Sequence, residues 1–204
     1  MKILMTAFDP FGGADVNPAE KAVSLVAPPD GVELKKLIVP TVFGLSTKIA
    51  IDSINEFCPD CVICVGQAAG RRGITPERVA INVRDARIAD NAGNKPVDEK
   101  IEKDGDAAYF STLPIKKIVQ KISEKGIPAS VSDTAGTFVC NDLMYGVLHA
   151  VKGRNIKAGF IHVPCIPEQL ASFPDGTPSL ELSVIVKGLE TVLETCLCDF
   201  LSQK

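Results

Sequence analysis

Proton transfer near neutral pH falls first to histidine, and this chain of 204 residues has only two, His149 and His162, beside seven cysteines. Cys140 has the address that a nucleophile needs. It follows Asp133-Thr-Ala-Gly-Thr-Phe-Val and begins a helix expected over Asn141–Lys152. A thiol at a helix N-terminus feels the positive end of the dipole, which lowers its pKa, and the unpaired N–H groups there can hold a developing oxyanion. A small buried residue at a turn is the competing reading, because free cysteine is often buried. His149 cannot serve Cys140 if that helix is regular: the steps between them turn by roughly 900° and rise by about 13.5 Å, leaving it on the opposite side. It is expected to pack or to sit on the helix surface. His162 lies instead near the C-terminal end of a strand in Gly-Phe-Ile-His-Val-Pro, the edge where parallel α/β sheets gather active sites; a buried structural histidine fits that position equally well. Cys165, with Pro164 and Pro167 around it, opens no helix and ranks below Cys140.

An acid would complete the set by orienting the imidazole. Glu77 stands just before a strand expected over Arg78–Val83, but alone it reads as any solvated glutamate, with Asp85 and Asp90 as competitors. The spacing Cys58-x-x-Cys61-x-x-Cys64 suggests a metal or iron–sulfur site at first. Cys61 and Cys64 fall, however, in the run Cys-Val-Ile-Cys-Val, whose composition is that of a central strand. Residues three apart on a strand point to opposite faces, and no second CxxC or nearby histidine completes a tetrahedral set. These cysteines are expected to be core-packing thiols.

The elements that must position these residues alternate. Strands are expected over Lys2–Ala7, Val32–Val39, Cys61–Val65, Ala129–Ser132 and Gly159–Val163. Asn17-Pro18 reads as an N-cap with proline at the first helical position, opening a helix over Ala19–Val26. Further helices are expected over Leu45–Phe57, around Ile115, Ile118, Val119 and Ile122 with Gly126 and Pro128 behind them, and over Leu180–Leu201. The pattern predicts a single-domain three-layer α/β/α sandwich with a mostly parallel central sheet, spanning residues 1–204. Arg84–Thr112 alone lacks periodicity, and a loop of that length in a compact domain is usually functional.

A net charge of −3 leaves no positive excess to track a phosphate backbone, so nucleic acid is not an expected partner. No apolar run approaches the roughly 20 residues needed to span a bilayer, and no cleavable signal follows MKILMTAF. An odd cysteine count in a chain with a sufficient core points to reduced thiols and a cytoplasmic protein.

Four blocks together resemble the pyroglutamyl-peptidase I (pyrrolidone-carboxylate peptidase) family of cysteine peptidases. They are Thr6-Ala-Phe-Asp-Pro-Phe-Gly-Gly with Asn17-Pro18; Gly66-Gln-Ala-Ala-Gly-Arg with Ile74-Thr-Pro-Glu-Arg-Val-Ala-Ile-Asn82; Ala135-Gly-Thr-Phe-Val-Cys-Asn141 with Leu143-Met-Tyr-Gly146; and Gly159-Phe-Ile-His-Val-Pro164 with Pro167-Glu-Gln169. The resemblance implies a catalytic triad of Glu77, Cys140 and His162, which adds Glu77 to the pair already ranked. It implies an apolar slot for a neutral five-membered lactam lined by Phe8, Phe11, Phe138 and Val139 and closed by Ile88. Gln67 would meet the lactam's polar groups, and Arg87 would lie near the reacting carbonyl. The implied activity is removal of an N-terminal pyroglutamyl residue from peptides through a thioester acyl-enzyme, with no metal or organic cofactor, in a homotetramer. A catalytically inactive lactam-binding homologue is the alternative, and a thiol-redox or metal protein built on Cys58, Cys61 and Cys64 is a third reading. Asp133 and Asp142 depart from the family's usual residues, and an anion at Asp142 is expected to lift the Cys140 pKa somewhat, although acids also suit a helix start.

Overall fold

The computed structural model describes residues 1–202. Its central sheet runs β2 (Glu33–Val39), β1 (Lys2–Phe8), β3 (Cys61–Gln67), β7 (Lys157–Val163), β4 (Thr75–Pro76). The first four are parallel, and β4 joins β7 antiparallel through Thr75 opposite His162 and Pro76 opposite Ile161. Side chains alternate between two dry layers, as the pleat requires. Ile3, Met5, Ile63, Val65, Ile161 and Val163 enter one layer with α1 (Pro18–Leu25), α3 (Ile115–Glu124) and α5 (Leu182–Leu201). Leu4, Phe8, Val62, Ala158 and Phe160 enter the other with α2 (Leu45–Phe57) and α4 (Val139–Ala150). The sheet buried on both faces explains why β3 reads as an unbroken apolar run.

Local chemistry sets several boundaries. Asn17 caps α1 by accepting from the Ala19 N–H at 2.9 Å, with Pro18 at the first helical position. Cys61 belongs to the first layer and Cys64 to the second, so their side chains leave the sheet in opposite directions. Cys58 sits apart, exposed, at the left-handed cap of α2.

One expected strand is shortened and one does not form. The segment expected over Arg78–Val83 keeps only β5 (Val79–Ile81), which leaves the main sheet to form an antiparallel ribbon with β6 (Ala108–Phe110). Ala129–Ser132 forms no strand but two single bridges, Ile74 to Ala129 and Glu77 to Ser132. Pro128 lacks an N–H, and the partner it meets is only two residues of strand. Asn141 explains the turn of β5 away from the sheet: its amide accepts from Ile81 N–H and donates to the carbonyls of Ile81 and Val83, clamping the ribbon onto α4. The long aperiodic loop is therefore tied at its foot, where Arg84 pairs with Glu99 through both backbone hydrogen bonds.

Candidate active site

The carboxyl ends of β3 and β7 open under the start of α4, and there the sequence candidates meet. Gly66 and His162 are register partners on the face that carries α4. Cys140, the second residue of α4, rests its sulfur over Gly66: a Cβ on that glycine would lie 3.2 Å from Sγ and 2.8 Å from the Phe160 ring. Only glycine lets the strand carry the thiol so close. The buried His162 ring lies 4.7 Å from that of Phe160 and places Nδ1 2.7 Å from Glu77 Oε1. Arg71 Nη2 reaches the same oxygen at 3.1 Å. An oxygen already accepting from a guanidinium also accepts from the ring, which puts a proton on Nδ1 and turns Nε2 away from the carboxylate.

Cys140 and His162 both line a cavity of about 630 Å³. Of the expected lining residues, Phe11, Gln67, Arg87, Ile88 and Phe138 border it. Phe8 and Val139 do not: both are buried in the layer beneath, Phe8 with its ring 6.3 Å from that of Phe160. Phe8 closes β1 on its core-facing side and Val139 is the inward residue of the first turn of α4, so alternation and helical phase turn each away from the opening. Phe138 meets Phe11 at 6.2 Å and Phe43, edge-on, at 5.3 Å, giving the cavity an aromatic wall. Gln67 donates to Gln169 Oε1 at 3.1 Å and to the Cys165 sulfur, and Gln169 in turn donates to the Val16 carbonyl. Cys165 thus supports Gln67 and is itself fully buried.

The electrostatics of the thiol differ from the sequence expectation. Burial pushes Cys140 up from 9.0 to about 12, and the charges of Glu77 and Cys64 push the same way. The N–H at the helix start pulls it down, but as the smallest of these influences. Dipole reasoning had the right sign for its own contribution and omitted the larger one, desolvation in a half-buried site. The expected lift from Asp142 is likewise absent among the causes. Asp142 is fully buried and is engaged by Arg84, by the Gly44 N–H at 2.8 Å and by Thr47 Oγ1, tying the start of α4 to α2 and to the foot of the long loop. Asp133 pairs with Arg78 at the surface.

His149 packs, as its phase implied: Nδ1 meets the Tyr109 hydroxyl at 3.0 Å and its ring stacks on Tyr145. Arg71 is the site residue that the sequence reading missed. Its signal was its place in Gly66-Gln-Ala-Ala-Gly-Arg, directly after the β3 end that forms the cavity floor. A second cavity of about 340 Å³ between α3 and α5, lined by Lys117, Lys121, Thr195 and Cys198 among others, gathers no histidine or buried acid around its thiol.

A thiol and an imidazole on one cavity wall, with a buried carboxylate bonded to the imidazole from behind, form the side-chain set that acyl transfer uses. The sequence profile of the pyroglutamyl peptidase family matches residues 1–198. A pyrrolidone-carboxylate peptidase of Clostridium perfringens is 56% identical over 193 residues, covering 93% of this chain and 90% of its own length. One from a Thermoanaerobacter species is 53% identical over 197 residues, 95% of this chain and 97% of that one. The crystal structure of pyroglutamyl peptidase I from Bacillus amyloliquefaciens superposes with a TM-score of 0.91 at 48% identity, covering 97% of each chain. A pyrrolidone carboxyl peptidase from Pyrococcus furiosus, a Glu-to-Ala mutant, gives 0.93 at 40% identity over 98% of this chain and 100% of its own. The chain belongs to the pyroglutamyl peptidase family.

Proposed function

We propose that this protein is a cysteine exopeptidase that removes an N-terminal pyroglutamyl residue from peptides, with Cys140 as nucleophile, His162 as general base and acid, and Glu77 as the group that orients the imidazole and stabilises the imidazolium that forms. The observation that carries this reading is the buried 2.7 Å contact of His162 Nδ1 with Glu77 in a cavity wall shared with Cys140. The Cys140 sulfur attacks the pyroglutamyl carbonyl as its proton passes to His162. The N–H groups of the first turn of α4, which a helix leaves without partners in its own ladder, lie beside the oxyanion that forms. His162 returns the proton to the leaving amine, the C–N bond breaks, and a thioester remains. Water then attacks the thioester, giving its proton to His162, and pyroglutamate leaves with the thiol restored. A thiol raised to about 12 is protonated at rest, so proton transfer accompanies attack.

The pocket chemistry suits the substrate. A pyroglutamyl end carries no ammonium group, so Phe11, Phe138 and Ile88 supply apolar contact, while Gln67, held by Gln169, and Arg87 supply the polar ends. A free amino terminus would lose its hydration on entry, and the buried carboxylate of Glu77 is already committed to His162 and Arg71. The complete Glu77, Cys140 and His162 set speaks against an inactive lactam binder, and the opposite directions of Cys61 and Cys64 against a metal or redox centre there. Among the described residues no helix is long and apolar enough to cross a membrane. A cytoplasmic homotetramer is the assembly that family resemblance supports, and the exposed Ile81 and Phe110 on the ribbon offer it apolar surface.

The test is release of aminomethylcoumarin from its pyroglutamyl conjugate under reducing conditions. Wild type releases the fluorophore and Cys140→Ser does not, and a prolyl analogue stays intact. An inert wild type that still binds pyroglutamate would hand the site to the binding-protein reading. Equal rates for wild type and Cys140→Ser would remove Cys140 as nucleophile.

A further inference from the structure

Arg71 touches three residues in two segments at once. Its Nη1 lies 3.3 Å from Thr75 Oγ1, and Nη2 lies 3.1 Å from Glu77 Oε1 and 3.2 Å from the Thr134 carbonyl, in the loop that leads into Cys140. The oxygen that it takes is the one that accepts from His162. Glu77 is fully buried, and its other oxygen, Oε2, has no partner among the described residues. All the donors that reach this carboxylate therefore compete at a single atom, while the bare oxygen leaves its charge incompletely compensated. A buried carboxylate in that condition attracts a proton onto the neighbouring imidazole, and a guanidinium placed one atom away opposes it.

From this shared oxygen we infer that Arg71 is a positioning residue that sets the protonation of His162: it fixes the Glu77 carboxylate and offsets its charge, so that the resting imidazole stays neutral and able to take the Cys140 proton. The inference rests on the proposed roles of Glu77, Cys140 and His162. The charged and titratable groups facing His162 are Glu77 and, through it, Arg71, Cys140 from α4, and Asp85 and Arg87 from the long loop across the cavity. Asp85 and Arg87 are both exposed and of opposite sign, which leaves the Arg71–Glu77 pair as the charged groups closest to the ring. Arg71 also explains a geometric need. Glu77 leaves β4 and Thr134 belongs to another segment, and one planar fork holds both at the cavity edge.

The experiment uses the two histidines as their own reporters. Side-chain NMR titration follows His162 and His149 separately in wild type, Arg71→Met and Arg71→Lys, beside the pH profile of kcat/KM. Loss of the cation raises the His162 pKa, so its titration and the acid limb of kcat/KM move up together by about one pH unit or more in Arg71→Met. Arg71→Lys keeps the charge and recovers most of that shift, while losing part of kcat because a single ammonium cannot hold Glu77 and Thr134 together. His149, bonded to Tyr109, titrates alike in all three proteins. If Arg71→Met does not fold, Arg71→Gln, which keeps donors for Thr134 without the charge, carries the same expectation. An unmoved His162 titration in the uncharged variant, or an equal shift in Arg71→Lys, overturns the inference. Failure of wild type to cleave the pyroglutamyl conjugate would sink the proposed function, while the His162 titration would still decide the role of Arg71.

Discussion

The cavity edge at β4 and the foot of the long loop at α4 each bury a carboxylate against a partly exposed arginine, and the two are finished differently. Asp142 has both oxygens engaged, by Arg84 on one side and by Gly44 N–H and Thr47 on the other, and it ties together α4, α2 and the loop. Glu77 takes His162 and Arg71 on one oxygen and leaves the other bare. A carboxylate that holds elements together is fully coordinated. Glu77 instead gathers its donors at one oxygen, and one of them is the ring of a titratable neighbour.

The widest separation between the two is expected in activity. Glu77→Gln keeps an acceptor for His162 but removes the charge that stabilises imidazolium, so kcat/KM falls by about 10³–10⁴, as in other triads that lose their acid. Its thermal midpoint, read by calorimetry, stays within a few degrees of wild type. A large loss of stability in Glu77→Gln would erase the distinction. Asp142→Ala gives the reverse: urea unfolding shows a loss of about 3 kcal/mol, at the lower end for breaking a buried pair because Arg84 retains contact with water. KM rises with it, since the loop that carries Arg87 and Ile88 is rooted at Arg84, while kcat changes less. The smallest and sharpest test is the pH dependence of Cys140 alkylation by iodoacetamide. The thiol lies near 12, above its ordinary 9.0, so the wild-type rate climbs through pH 9 without levelling near neutrality. The Glu77 charge is one cause of that rise and Asp142 is not, so Glu77→Gln moves the curve to lower pH and Asp142→Asn leaves it in place.

Much of this was legible in the residues. The apolar runs of β1 and β3, the Asn17-Pro18 cap and the amphipathic stripe of α3 each express a short-range rule, and each lies where it was expected. The edge position of His162 and the opposite phase of His149 followed from strand and helix geometry in the same way. Glu77 needed the family motif, because an acid before a short strand has no local mark, and its contact with His162 spans 85 residues of sequence. What stayed hidden depends on neighbours brought in from afar. The Cys140 pKa reverses direction because burial is a tertiary property, and Asp142 leaves the thiol undisturbed because Arg84, 58 residues away, claims it. Phe8 and Val139 lie within the right motifs but one position out of phase with the cavity. Arg71 has no local mark beyond its motif, because its contact with Thr134 spans 63 residues of sequence.

The sheet's two margins carry one more consequence. On the side that delivers Glu77, β4 is two residues long, contains Pro76 with no N–H to offer, and is bonded outward to the segment 128–132. On the other side, β2 exposes Glu33, Lys36 and Ile38, and Lys36 reaches back to the Ser24 carbonyl. On the β4 side the sheet therefore presents no long row of free backbone groups, the kind of edge that templates strand addition. The same short proline-bearing segment that sets the acid beside the histidine thus also blunts that edge of the sheet.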